Sequence, residues 1–123
     1  MNRIDLEERL IAYAVLIIEI VESMPDKKTA NHLSGQLLRS GTSPALNYDE
    51  AQSGESRRDF IHKIKIVLKE LRESNVCLKI IFRAKLYTSV EKINSALGET
   101  NELISIFVKS VETAQKNDLK SKS

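Results

Sequence analysis

Apolar residues recur at three- and four-residue steps along most of the chain, and this spacing predicts four α-helices. The helical segments are expected at residues 5–24, 28–52, 56–84 and 88–116. Short connections separate them, so neighbouring helices should run antiparallel. The pattern therefore predicts an all-α chain, folded as an antiparallel, up-down-up-down four-helix bundle over residues 1–116. Residues 117–123 are polar and are expected to form a disordered tail.

Three of the segments begin with a residue pair that fits a capping box, in which each side chain bonds to the other residue's backbone. The pairs are Asp5 with Glu8, Ser56 with Asp59, and Thr88 with Glu91. Pro25 follows the first segment and cannot continue its helix. These signals predict where three of the helices begin and where the first one ends.

The second segment contains a proline, Pro44, between residues whose spacing is helical. A proline inside a helix leaves the carbonyl four residues earlier, here that of Ser40, without its donor and costs about 3 kcal/mol or more. The hydroxyl groups of Thr42 and Ser43 are close enough in sequence to satisfy freed backbone groups. We interpret the segment as one continuous, kinked helix. Two helices joined at residues 41–44 are the alternative.

The first segment has a broad apolar face, which is expected to enter the core. Its predicted members are Leu6, Leu10, Tyr13, Ala14, Ile17, Ile18, Val21 and Met24. Other apolar residues of the first and third segments fall outside the predicted core faces: Val15, Leu16, Ile66, Val76 and Cys77. A monomer would expose these five residues, which makes them candidates for a contact between subunits. Scattered exposed apolar residues are also common in monomers, so the pattern alone does not decide this.

Charge is unevenly distributed, although the formal net charge is only +2. The third segment is strongly basic, and seven of its side chains fall on one stripe that points away from the predicted core. The stripe consists of Arg58, His62, Lys65, Lys69, Arg72, Lys79 and Arg83. Such a stripe is typical of contact with a phosphate backbone, RNA or DNA. The alternative is an ordinary solvated helix face, because no aromatic residue is interleaved for base stacking.

No recognisable catalytic or metal-binding pattern is present in the sequence. His32 and His62 lack metal-ligand spacing, and no motif surrounds the single cysteine, Cys77. The candidate carboxylates for a metal site in a bundle are Asp49, Glu50, Glu70 and Glu73. Such sites use a Glu-x-x-His pair, which this chain lacks. We therefore expect no enzyme, no metal and no cofactor, and a cytoplasmic protein without a membrane span.

Several runs of residues resemble one bacterial family. They are Leu37-Leu38-Arg39-Ser40-Gly41-Thr42-Ser43, Asn47-Tyr48-Asp49-Glu50-Ala51, Asp59-Phe60-Ile61-His62-Lys63-Ile64-Lys65 and Lys69-Glu70-Leu71-Arg72-Glu73-Ser74. The family is the S23-like four-helix bundles encoded within intervening sequences of 23S ribosomal RNA genes. Its motif is carried here by Arg39, Ser40, Gly41, Ser43, Pro44, Asn47, Tyr48, Glu50, Asp59 and Phe60. The chain departs from the family pattern at Leu46, where relatives often have a small residue, and at Val76-Cys77, where a Tyr-Trp pair is common.

The resemblance implies a ring-like homopentamer. Related accessory proteins of diversity-generating retroelements share that arrangement and bind nucleic acid and a reverse transcriptase through a basic surface. We therefore expect a homo-oligomeric bundle that binds RNA or DNA through the basic stripe. The alternative is a structural or adaptor bundle that binds a protein partner. Asn47 and Tyr48 are expected to be structural, either bonding to backbone groups near Pro44 or fixing the contact between the second and third helices.

Overall fold

The computed structural model describes residues 1–54 and 56–122, with the backbone alone for Lys122, and this part of the chain contains four α-helices and no strand. The helices are α1 (Arg3–Glu22), α2 (Lys28–Gln52), α3 (Arg57–Arg83) and α4 (Val90–Lys122). Each helix packs against its neighbour in sequence, and α1 also meets α4. The four helices therefore form a bundle in which α1 and α3 occupy diagonal corners. The predicted all-α four-helix bundle is confirmed.

The start of α1 differs from its prediction. Asn2 caps the helix: its side chain accepts a hydrogen bond from the backbone N–H of Asp5 at 2.9 Å, and the Asp5 carboxylate accepts one from the backbone of Asn2. Asp5 is thus the third helical residue, and the predicted capping box of Asp5 with Glu8 is wrong. The pairs Asn2–Asp5 and Asp5–Glu8 both have a capping residue followed by an acid three positions later, and asparagine is as good a capping residue as aspartate. The sequence pattern therefore does not distinguish between them.

The other caps follow the sequence more closely. Ser56 accepts a hydrogen bond from the backbone of Asp59 at 3.1 Å, which confirms the predicted start of α3. At the start of α4 the capping hydroxyl belongs to Ser89, which accepts from the backbone of Lys92 at 3.3 Å. Thr88, the predicted cap, therefore lies one residue too early.

The helix α2 is continuous through Pro44, as the preferred interpretation predicted. Polar side chains near the proline bond back to carbonyl groups of the preceding turn. The Thr42 hydroxyl donates to the Leu38 carbonyl at 2.7 Å, and the Asn47 amide donates to the Ser43 carbonyl at 3.1 Å and to its hydroxyl at 2.8 Å. None of these bonds reaches the Ser40 carbonyl, which the proline leaves without its donor, so the predicted role of Thr42 and Ser43 at that carbonyl is not seen.

A close contact between α1 and α2 depends on Gly41. The glycine is buried, and a Cβ atom placed on it would lie 2.7 Å from a methyl carbon of Ile17. No real Cβ makes so short a contact, so any larger residue would push α1 away from α2. The glycine is used here for space, because its backbone lies within a regular helix.

Each helix contributes one hydroxyl group to a buried polar layer, which consists of Tyr13, Ser40, Ser74 and Thr100. The hydroxyl groups of Tyr13 and Thr100 are 2.7 Å apart, and Ser74 donates to Ser40 at 2.9 Å. Thr100 also donates to the carbonyl of Ala96 at 2.6 Å, so Tyr13 is the donor to Thr100. Because hydroxyl groups buried without a partner cost about 1–3 kcal/mol each, this layer favours one alignment of the four helices.

The buried face of α1 is rotated slightly from the predicted face. Its buried positions are Leu6, Leu10, Tyr13, Ile17 and Ile20. Ile18, which was assigned to the core, is 40% exposed, whereas Ile20 is fully buried. Ile18 lies one residue, or about 100°, beyond Ile17 and therefore on the outer side of the helix.

The last helix is longer than predicted. Its predicted end near Lys116 is wrong, because α4 continues to Lys122, while Ser123 lies outside the described residues. No glycine or proline follows Gly98 in the sequence, so nothing breaks the helix. The guanidinium of Arg57 donates to the carbonyl of Asn117 at 2.8 Å and ties this end of α4 to the start of α3. Residues 117–122, predicted as a tail, are thus a helical extension.

We expect Gly41→Ala to lower the free energy of unfolding by about 1–3 kcal/mol, because the new methyl group overlaps Ile17. Gly35→Ala is the matched control, since a Cβ at this position of the same helix meets nothing within 4 Å. That change should raise stability by up to about 1 kcal/mol. Urea unfolding followed by circular dichroism measures both. An unfolding midpoint of the Gly41 variant at or above that of the Gly35 variant would contradict the contact.

The hydroxyl layer should also respond to pH. Burial raises the pKa of Tyr13, and its hydrogen bond to Thr100 only partly offsets this effect. Above pH of about 10, the ordinary value for tyrosine, the unfolded chain loses the phenol proton while the folded chain keeps it, so stability falls as pH rises.

Tyr13→Phe should therefore flatten this alkaline loss of stability. At neutral pH it should cost about 1 kcal/mol for the lost hydrogen bond. Tyr87→Phe, which removes a hydroxyl outside the layer, is the control at neutral pH. Urea unfolding at a series of pH values provides the measurement, and an unchanged alkaline slope in the Tyr13 variant would count against a buried phenol.

Candidate nucleic-acid interface

The basic stripe predicted from the sequence is a continuous surface of α3. All seven of its side chains are exposed: Arg58, His62, Lys65, Lys69, Arg72, Lys79 and Arg83. At about 100° per residue they lie within an arc of about 100°, and the stripe is about 37 Å long. The buried residues Val67, Leu71 and Leu78 lie on the opposite side of the helix. The stripe thus faces away from the core, as predicted.

One apolar residue completes the spacing of the stripe. Its members follow each other at alternating steps of four and three residues, except between Arg72 and Lys79, where the position in the series is occupied by Val76. Val76 is 55% exposed. It therefore forms an apolar centre in the otherwise basic surface.

The charges of the stripe are not used within the bundle. Among the described residues, ion pairs are formed by Arg9, Arg39, Lys63 and Lys92, whereas no stripe residue forms one. An acid does lie near one end, because Asp118 of α4 lines a shallow recess with Arg58 and Lys65. In a single copy, the middle of the stripe, around Lys69 and Arg72, therefore lies farther from this acid than the end at Arg58 does.

The acids beside the stripe on α3 are bound by an arginine of α2. Arg39 donates to the carboxylate of Glu70 at 2.7 Å and also bonds to Glu73. Only 10% of the Glu70 side chain is exposed, and the ion pairs raise the pKa of Arg39, with the bond to Glu73 as the largest cause. Arg39 thus offsets one of the two negative charges that these carboxylates place beside the positive stripe.

A second arginine joins α1 to α4 in the same way. Arg9 donates to Glu99 at 2.7 and 2.8 Å and also bonds to Glu102. In both pairs of helices, one arginine contacts two glutamates that are three residues apart on the neighbouring helix. This geometry matches the planar guanidinium, which can reach two carboxylates together.

The candidate carboxylates for a metal site are dispersed and bound by cations. Glu70 and Glu73 contact Arg39, Glu50 contacts Lys63, and Asp49 is exposed. In the part of the chain that the structure describes, no group of three histidine, cysteine or acidic residues is close enough to hold a metal ion. The geometry gives these carboxylates structural roles.

The motif residues on α2 mostly join helices to one another. Arg39 contacts α3, Ser40 belongs to the hydroxyl layer and Gly41 admits Ile17. Pro44 is buried, and the bond between Ser43 and Asn47 stays within α2. The bond from Asn47 reaches Ser43, so it satisfies neither the carbonyl of Ser40 nor a group of α3.

The remaining motif residues act at one end of the bundle. The ring of Tyr48 meets that of Phe107 edge-on with centroids 5.7 Å apart, so it fixes α2 against α4. Burial raises the pKa of Tyr48. Asp59 lies in the cap of α3, and Phe60 packs partly buried against the core. The motif that carries the family resemblance is thus a set of packing positions.

The residues proposed for subunit contact are divided between two environments. Val15 and Val76 are exposed, whereas Leu16 and Cys77 pack partly buried against the core of the same chain, and Ile66 is partly buried. Burial raises the pKa of the Cys77 thiol, and Glu73 adds to this effect. A raised pKa lowers the fraction of thiolate, which is the reactive form of cysteine.

An apolar surface that the sequence reading missed lies on α1. Ile4, Ile11, Val15 and Ile18 are all exposed. Only Val15 was recognised as lying outside the core, because the consecutive apolar residues from Val15 to Ile18 hide the phase of the helix. The sequence did contain a sign of this surface, because the four residues are separated by seven, four and three positions, which places them on one side of a helix.

In the described part of the chain, no helix combines the length and apolar character that a bilayer crossing requires.

Comparison with known proteins places the chain in a family. A family model described as 23S rRNA-intervening sequence protein matches residues 3–109, which include the motif and most of all four helices. A crystal structure of a protein with unknown function from the S23 ribosomal protein family of Bacteroides thetaiotaomicron VPI-5482 is also similar. It is 28% identical, with a TM-score of 0.82, and the match covers 91% of this chain and 99% of that chain. No curated protein matches. Since the family match spans nearly the whole bundle, the chain belongs to the 23S rRNA-intervening sequence protein family.

Proposed function

We propose that this protein is a non-enzymatic, cytoplasmic homo-oligomer that binds RNA or DNA through the basic stripe of α3. The observation that supports this proposal is the exposure of all seven stripe residues together with the absence of ion pairs to them among the described residues. Binding phosphates there releases condensed counterions, which is the main source of affinity in sequence-independent binding.

The chemistry of the stripe favours a structured nucleic acid. No stripe position carries Phe, Tyr or Trp, so the surface lacks the large aromatic platforms on which unpaired bases stack best. A straight row of charges about 37 Å long instead fits the regular phosphate backbone of a duplex. We therefore expect recognition of shape and charge, with duplex DNA or a folded RNA preferred over an unstructured strand.

Self-assembly is part of the same proposal. The exposed Val15 and Val76 support a contact between copies, and the family resemblance suggests a homopentamer. Assembly would repeat the stripe and increase its effective affinity for a long nucleic acid. The second candidate is an adaptor that binds a protein partner, and the exposed apolar residues of α1 favour it.

We expect Arg58→Glu combined with Lys65→Glu to weaken binding to duplex DNA by at least about tenfold, because two phosphate contacts become repulsive. Lys109→Glu with Lys116→Glu is the matched control, since it makes the same change in net charge on exposed residues of α4. Fluorescence anisotropy with a labelled duplex and a labelled RNA hairpin, at about 50 and 200 mM salt, measures the affinity.

The salt dependence gives an independent reading. The slope of log affinity against log salt for the duplex should fall by about 2 in the stripe variant and stay unchanged in the control. Equal affinities of the two variants would mean that the stripe does not contact phosphate and would favour the adaptor.

A further inference from the structure

The outer surface of α1 carries an apolar stripe with acids at regular intervals. Its positions are Ile4, Glu8, Ile11, Val15, Ile18 and Glu22, at alternating steps of four and three residues. Ile4 is 67% and Val15 is 49% exposed. Val15 lies about 200° around the helix from the buried Tyr13, so this stripe faces away from the bundle. Four exposed apolar residues in one row exceed the scattered exposure expected of a monomer.

The two acids within this row form no ion pair in the described part of the chain. Glu8 and Glu22 are exposed, and in residues 1–54 and 56–121 no ion pair includes either of them. Glu7 and Glu19 flank the same row, and Glu19 lies 3.7 Å from the ammonium group of Lys92. Two copies of this surface would bring acid against acid, which opposes a symmetric contact of α1 with itself. A complementary surface must therefore be basic, with an apolar centre.

The basic stripe of α3 has these properties and the same spacing. Lys69, Val76 and Arg83 follow each other at steps of seven residues, as Glu8, Val15 and Glu22 do on α1. The cations here are exposed and, among the described residues, form no ion pair. Each series has its valine in the middle and one charged residue seven positions away on either side. When the two valines face each other, opposite charges therefore meet whether the two helices run parallel or antiparallel.

We propose that the outer surface of α1 in one copy docks on residues 69–83 of α3 in a second copy, an inference that rests on the proposed self-assembly. Val15 packs against Val76, and the two glutamates pair with Lys69 and Arg83. The aliphatic stems of Arg72 and Lys79 cover Ile11 and Ile18, while their charged ends reach solvent or the flanking acids.

This contact joins two different surfaces that lie at diagonal corners of one bundle. Each copy therefore offers one surface to the next copy and the other to the previous one, so the contact repeats as a ring or an open chain. Residues 58–65 lie outside the covered part of α3. The basic side chains there, Arg58, His62 and Lys65, stay available to phosphate at each junction of the assembled protein. The full row of seven is free only on a copy whose α3 is not docked.

Charge reversal of each surface tests the pairing. The first variant combines Glu8→Lys with Glu22→Lys, and the second combines Lys69→Glu with Arg83→Glu. Each should sediment as a monomer at a concentration tenfold above that at which the unchanged protein assembles, because like charges then face each other. Mixed in equal amounts, the two variants should assemble again. The lysines on α1 of the first variant then face the glutamates on α3 of the second, and the unchanged α1 of the second faces the unchanged α3 of the first.

Asp49→Lys combined with Glu112→Lys is the control, because it makes the same charge change on exposed residues of α2 and α4 and should leave assembly intact. Thermal unfolding followed by circular dichroism checks that every variant is folded. A monomeric unchanged protein would overturn both self-assembly and this pairing. An oligomer that survives both reversals, or a mixture that stays monomeric, would overturn this pairing and leave nucleic-acid binding to its own test.

Discussion

The hydroxyl layer at the centre of the bundle is the constraint on which the other features depend. Apolar side chains tolerate a helix that slides or rotates, because one methyl group can replace another, whereas a buried hydroxyl needs a donor or acceptor at a defined place. Tyr13 reaches Thr100 and Ser40 reaches Ser74, so both pairs of helices are aligned at the same level. Gly41 lies next to this layer in sequence and lets α1 approach closely enough for the alignment to hold.

This alignment also determines which charges are used inside the protein and which are left outside. The guanidinium groups of Arg9 and Arg39 each bind two glutamates across a helix boundary. The acids between helices are thereby partly neutralised by residues that do not belong to either outer surface. The basic row of α3 and the acidic, apolar row of α1 keep their charges, one on each diagonal corner. A bundle with two such unlike surfaces is suited to binding partners on two sides.

The period of apolar residues was sufficient to predict the helices, their antiparallel order and the outward direction of the basic stripe, because exposure follows from helix geometry alone. Two predictions failed because two residues satisfied the same rule. Asn2 and Asp5 both precede an acid at the required spacing, and Ile17 and Ile18 are both apolar neighbours. The partners of Ser40 and Arg39 were beyond prediction, because they depend on which residue of another helix lies at the same level.

The contact of Arg39 with Glu70 and Glu73 has a consequence for the electric field outside the protein. An approaching phosphate experiences the sum of all nearby charges, and the two glutamates lie on the same helix as the cations that would attract it. Arg39 is held by the two glutamates, yet its charge weakens the part of the field that would repel the phosphate. The attraction of the stripe is therefore set partly by a residue of another helix that never meets the ligand.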